Sequence, residues 1–280
     1  MSDFTLQSEF IQSSDGTQLH VQACEHADPK ATVLIVHGFC EHIGRYEHVY
    51  RWLHENGYML GGLDYRGHGR SSGRRSYIER FSQYVADVDA MVAHFLSEQQ
   101  GDRKLYLMGH SLGGLITASY ALAHPEGLDG IILSAPAVGF NTKIPAWKNM
   151  LGKASSMLWP TLSIPTDIPS EHLSHDTSIC TAYDNDPMVN KNATARWYTE
   201  TLNQQAMVLQ QAHRLTMPLL VLQGTEDLIV DPDASQALVG AAGSQDKQIL
   251  WYDGLYHELF NEVRNEDVLN DTVQWLDAHV

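Results

Sequence analysis

Leu105-Tyr106-Leu107-Met108-Gly109-His110-Ser111-Leu112-Gly113-Gly114 decides how this chain is read. Leu105 to Met108 is a short apolar run with strand character, and Leu115 to His124 has the composition of a helix. A strand that turns at once into a helix brings the two backbones almost into contact, and glycines flanking a central serine make that room. The serine is then held at the apex in a strained conformation with its hydroxyl pointing out. Gly-x-Ser-x-Gly alone is a weak signal, but between a strand and a helix it reads as a nucleophile elbow, with Ser111 the candidate nucleophile.

The alternation continues outward. Thr32 to Val36 and Tyr58 to Leu63 read as buried strands around a helix over Arg45 to Glu55, which has Tyr46, Val49 and Leu53 on one side. Phe81 to Gln99 repeats apolar residues three and four apart and predicts a helix. Gly130 to Ser134 is the next strand. Phe4 to Gln12 and Leu19 to Ala23 predict a hairpin about Asp15-Gly16. Late in the chain, Pro218 to Gln223 and Lys247 to Tyr252 read as strands, Pro232 to Gly240 and Arg264 to His279 as helices. The expected class is α/β, with an eight-stranded, mostly parallel sheet and helices on both faces.

Between Pro136 and Met217 the rhythm breaks. Prolines stand at 145, 160, 165, 169 and 187, among Ile144, Trp147, Met150, Leu151, Met157, Leu158, Trp159, Leu162 and Ile164. Tyr183 to Val189 reads as polar and turn-like, and Ala193 to His213 as helix. This stretch is too long for a crossover and predicts an inserted helical cap over 136–217, dividing a core of 1–135 and 218–280. Its apolar density favours a wall that receives an acyl chain over a core private to the cap.

The net charge of -16 is spread along the chain, so a nucleic-acid partner is not expected. Cys24, Cys40 and Cys180 are odd in number and far apart, which predicts reduced thiols. With no signal peptide read at Met1 to Gln12 and no long apolar run, a cytoplasmic location is expected. Transient contact with a membrane or micelle through the cap is compatible with this, and the sequence carries no signal for oligomeric state.

In open α/β sheets reactive groups gather where strand C-termini meet loops. Four such places carry candidates: His37 to His42, Ser111, Asp227 and His257. The chain order serine, acid, histidine is that of elbow-type hydrolases. A serine hydroxyl needs a base, and His257, in a loop after a strand, is the best candidate. Asp227 would hold the His257 tautomer. Asp231, which precedes Pro232, is better suited to start a helix, and Glu226 is a weaker rival. The expected oxyanion donors are the backbone N–H groups of Leu112, at a helix start, and Phe39, with Gly38 letting its loop pass close. Glu41, His42 and Arg45 are expected to form a charged network under the site. Asp64, Arg66 and His68 are expected to brace the neighbouring loop, while His110 and Cys40 are read as packing groups. The chemistry needs no cofactor, and the histidines lack metal-site spacing.

His37-Gly38-Phe39-Cys40-Glu41-His42 with Arg45-Tyr46 resembles the HGxxEHxxRY segment of monoacylglycerol lipases and related lysophospholipases. Leu63-Asp64-Tyr65-Arg66-Gly67-His68-Gly69-Arg70-Ser71-Ser72-Gly73 resembles their GxDxRGHGxSxG loop, and the elbow resembles their GHSMGG. Tyr252 to Glu262 resembles YxGxYHExxNE, while Leu173 to Asp176 and Asp184 to Val189 resemble the LSxD and DPxV pieces. The resemblance covers the chain from about Gly16 onward and places it among serine aminopeptidase-like α/β hydrolases. It implies a Ser111–Asp227–His257 triad, Phe39 and Leu112 as oxyanion donors, a cap over an acyl tunnel, and attack on a glycerol monoester. Phe39 stands where the group often has a small residue. A lysophospholipid, a small carboxylic ester or an N-terminal peptide as substrate, and a catalytically silent lipid binder, are the rival readings.

Overall fold

The computed structural model describes residues 4–98, 102–141, 154–166 and 168–280. Its strands are β1 Gln7–Gln12, β2 Gln18–Cys24, β3 Thr32–Val36, β4 Met59–Asp64, β5 Leu105–His110, β6 Gly130–Ser134, β7 Ser163–Pro165, β8 Asn192–Thr194, β9 Leu219–Gly224 and β10 Lys247–Tyr252. Eight of them form one sheet in the order β1-β2-β4-β3-β5-β6-β9-β10. The pairings of β1 with β2 and β2 with β4 are antiparallel, and the rest of the sheet is parallel.

Alternation within each central strand feeds two separate cores. Leu34, Val36, Leu105, Leu107, Ile131, Leu133, Leu219 and Val221 point to one face. Val33, Ile35, Tyr106, Met108, Ile132, Leu220 and Leu222 point to the other. Strands buried on both faces read as continuous apolar runs, and β3 and β5 are buried at every position. The first face is covered by α2 Ser82–Glu98, α3 Leu112–Ala123 and the ends of α5 Ala195–Gln211 and α6 Pro232–Ala241. The second is covered by α1 Glu47–Glu55 and α7 Asn265–His279. Because β3, β5, β9 and β10 run parallel, their carboxyl ends share one edge, from which the loops carrying His37, Ser111, Asp227 and His257 leave.

Between β6 and β9 the structure departs from the sequence reading in detail. Tyr183 lies in a helix, α4 Thr177–Asn185, not in a turn. Asp176 caps it by accepting from Ser178 N, and Tyr183 is its buried residue, so its apolar periodicity is faint. Residues Asn192–Thr194 form β8, paired antiparallel with β7. The expected helix therefore starts at Ala195, where the Thr194 hydroxyl accepts from Trp197 N. The elbow helix begins at Leu112, ahead of the expected Leu115. Ile144, Trp147, Met150 and Leu151 lie outside the described residues. Among the described residues no helix is long and apolar enough to cross a membrane.

Candidate active site

Ser111 sits between β5 and α3 with φ +52°, a region that side-chain-bearing residues rarely enter. Its neighbours explain why the turn takes glycine. A Cβ on Gly113 would lie 2.0 Å from the Val36 carbonyl oxygen, and one on Gly109 would lie 2.3 Å from that of Gly113. Helix and strand thus touch through backbone, and the serine is pushed out over the carboxyl edge of the sheet.

Three loops converge there. His257 Nε2 lies 2.9 Å from Ser111 Oγ, and His257 Nδ1 lies 2.8 Å from Asp227 Oδ2. The other Asp227 oxygen accepts from Ile229 N at 2.8 Å and Val230 N at 3.0 Å, which fixes the carboxylate plane. Burial pushes the Asp227 carboxyl up, but the His257 ring and these amides outweigh it and hold it below the usual range. Burial likewise opposes a charged His257, yet Asp227 prevails and its pKa stands above that of an ordinary histidine. Asp231 takes the expected part in α6, accepting from Asp233 N ahead of Pro232.

Leu112 is the first residue of α3, so its N–H belongs to the helix end that lacks intrahelical acceptors. The other expected donor, Phe39 N–H, shares a planar peptide with the Gly38 carbonyl. That carbonyl accepts from Tyr65 OH at 2.6 Å, with His37 Nδ1 at 2.7 Å, and in a trans peptide this aims the Phe39 N–H the opposite way. Gly38 N donates to Glu41 Oε1 at 2.5 Å.

The residues expected beneath the site separate into two groups. Glu41 accepts from Tyr46 OH at 2.7 Å and pairs with Arg45 at 2.6 Å, and Arg45 forks onto Glu258 at 2.7 and 2.8 Å. His42 turns away to Asp186 in the 184–189 stretch, 2.8 Å from its carboxylate. Burial pushes the Glu41 carboxyl up, but Arg45, His110 and His37 outweigh it and hold it at about 2. Asp64 accepts from Ile43 N and Arg70 N, and Arg66 bridges Asp15 and Asp87, so these brace the loops. His68 packs in the same layer against Tyr65. His110 packs 4.8 Å from the His257 ring, and burial together with that ring lowers its pKa to about 4, which leaves it neutral. Cys40 is a buried thiol. Glu258, Asp186, Tyr65 and Trp197 were not singled out from the sequence. Glu258, Asp186 and Tyr65 stand in the motifs quoted above, and Trp197 does not.

A cavity of about 910 Å³ opens at Ser111, with Phe140, Leu162, Ile164, Trp197, Leu228 and Ile229 on its apolar walls. Glu41, His110, Tyr183 and Glu258 supply polar groups to its lining. The volume is at the upper end for small-molecule sites.

The sheet order, the elbow at the end of β5 and the loops meeting over it are those of an α/β hydrolase. The chain belongs to the family described as serine aminopeptidase, S33, whose model matches residues 27–264. It is 32% identical over 254 residues to a monoacylglycerol lipase of Mycolicibacterium smegmatis, covering 90% of each chain. It is 29% identical over 255 residues to phospholipase YtpA of Bacillus subtilis, covering 90% of this chain and 97% of that one. The crystal structure of a Paleococcus ferrophilus monoacylglycerol lipase superposes with TM-score 0.83 at 27% identity, over 99% of this chain and 100% of that one.

Proposed function

We propose that this protein is a serine esterase that cleaves monoacylglycerols to glycerol and fatty acid through an acyl-enzyme on Ser111. The observation that carries this is the hydrogen-bonded row Ser111–His257–Asp227, with Ser111 and His257 in the lining of a largely apolar cavity. The similarity to monoacylglycerol lipases supports the choice of ester.

In this reading Ser111 Oγ attacks the ester carbonyl carbon while its proton passes to His257 Nε2. The carbonyl oxygen becomes an oxyanion held by Phe39 N–H and Leu112 N–H. As the bond to glycerol breaks, the imidazolium gives its proton to the departing oxygen. A water then loses a proton to His257, its oxygen attacks the acyl carbon, and Ser111 leaves with that proton. No cofactor enters this cycle.

The polar lining favours a neutral alcohol over a phosphate ester, since its carboxylates Glu41 and Glu258 already hold Arg45, and Lys191, beside the Tyr183 ring, is paired with Asp184. A lysophospholipid is the second reading, favoured by the phospholipase relative. We read 136–217 as a cap inserted in the core. Met157, Leu158 and Trp159 are 74, 60 and 65% exposed on it, which supports transient contact with a lipid surface. The free thiols Cys24, Cys40 and Cys180 support a reducing, cytoplasmic setting.

The test compares kcat/KM for 1-monooleoylglycerol, oleoyl lysophosphatidylcholine and a leucyl amide. The reading predicts the monoglyceride ahead of both, and a faster lysophospholipid would replace it with the second reading.

A further inference from the structure

The Phe39 amide is aimed from below by the contacts on the Gly38 carbonyl, but its side chain is gripped from the cap. The Trp197 ring lies flat on the Phe39 ring, with centroids 3.8 Å apart and planes 16° from parallel. Trp197 is 5% exposed, near the start of α5. Its backbone N–H donates to Thr194 Oγ1 at 3.3 Å, and that hydroxyl donates to the Ser76 carbonyl at 2.7 Å. The indole is therefore seated on a part of the cap that is itself tied to the core.

The loop it presses on is under strain. Cys40, next to Phe39, has φ +66°, and a residue with a side chain stays there only where its surroundings hold it. The same cap stretch supplies more of that hold. The Cys40 carbonyl accepts from Asn190 N at 3.1 Å, and the Asp186 carboxylate meets His42 at 2.8 Å. A loop that starts at Gly38 and passes through a left-handed cysteine would relax if released, and the Phe39 N–H would turn with it.

We propose that Trp197 is a positioning residue of the oxyanion hole: by stacking on Phe39 it keeps the Phe39 amide aimed, so helix α5 governs the rate of acyl transfer and not only the shape of the acyl cavity. This rests on the reading of Phe39 N–H as an oxyanion donor. Preorganised donors act through their aim, and a small rotation weakens the transition state more than the bound ester.

The test uses 4-nitrophenyl butyrate, a short ester, together with a butyl trifluoromethyl ketone that forms an oxyanion adduct with a serine. Trp197→Leu keeps an apolar side chain but removes the ring. Its kcat is expected to fall about tenfold, the scale of an aromatic pair's coupling, with KM for the short ester unchanged. Affinity for the ketone falls by the same factor, and Trp197→Phe restores most of both. In a Phe39→Ala background, Trp197→Leu adds nothing further. If Trp197→Leu does not fold, Phe39→Leu removes the stack from the other side and is read in the same way. Unchanged kcat and ketone affinity, with a higher KM for long-chain esters alone, would show Trp197 to be cavity wall and overturn the inference. If the ketone and a fluorophosphonate fail on the wild-type protein too, the serine-esterase reading itself falls.

Discussion

Arg45 and Glu258, 213 positions apart in the chain, meet fork to fork at 2.7 and 2.8 Å. Glu258 follows His257, and Arg45 also holds Glu41, whose other oxygen takes the Gly38 amide. One guanidinium thus ties the loop of the proposed base to the loop of a proposed oxyanion donor.

Arg45→Met strands two buried carboxylates. Removing one partner of a buried ion pair costs about 3–5 kcal/mol, and a loss of that size is expected in urea unfolding at neutral pH. The sign of the pH dependence also reverses. In the wild type the lowered Glu41 pKa adds stability above the unfolded-state value, which is lost as pH falls toward about 2. Without Arg45, burial raises that pKa instead, so the deficit of the variant shrinks as pH falls. A pH-independent deficit would contradict this.

His257 accepts a proton only when neutral, and its pKa lies above the ordinary histidine value because Asp227 outweighs burial. The acid limb of kcat/KM is therefore expected above that value, with activity rising as pH rises through it. Asp227→Asn removes the charge that raises the pKa. Its limb moves to lower pH, and kcat drops by roughly 10⁴, the loss known when a triad acid becomes an amide. An unmoved limb would assign the titration to another group.

Gly113 and Gly240 separate space from composition. Gly113→Ala puts a methyl group 2.0 Å from the Val36 carbonyl oxygen, against backbone that cannot yield, whereas Gly240→Ala in α6 meets nothing within 4 Å. Thermal unfolding should show Gly113→Ala destabilised by roughly 3 kcal/mol or more. Gly240→Ala should be stabilised by about 0.5–1 kcal/mol. Equal effects would mean that the elbow is not packed as described.

Leu158 and Trp159 are 60 and 65% exposed and do not line the cavity. Replacing both by serine is expected to weaken binding to neutral phosphatidylcholine vesicles about tenfold or more, from the apolar area lost. Hydrolysis of a soluble butyrate ester should not change. Unaltered vesicle binding would remove the cap from the lipid contact.

The elbow and the sheet could be read from the sequence because each rests on local chemistry, whereas the Asp227 and His257 candidates rest on chain order and resemblance. Glycines flanking Ser111 answer to backbone contact, apolar runs to burial on both faces, and Asp231 to the proline after it. The cap was harder. Helix α4 buries little besides Tyr183, so no apolar stripe marks it, and β8 is three residues long. The pairings that join the loops were invisible for another reason. Arg45 with Glu258, His42 with Asp186 and Phe39 with Trp197 are contacts across the fold, and neither spacing nor composition records them.

The most direct measurement is mass mapping of the protein quenched in acid during turnover of 1-monooleoylglycerol. The account predicts one oleoyl group on the peptide that contains Ser111, with neither adduct nor fatty-acid release in Ser111→Ala. Release of oleate at the wild-type rate by Ser111→Ala would contradict it.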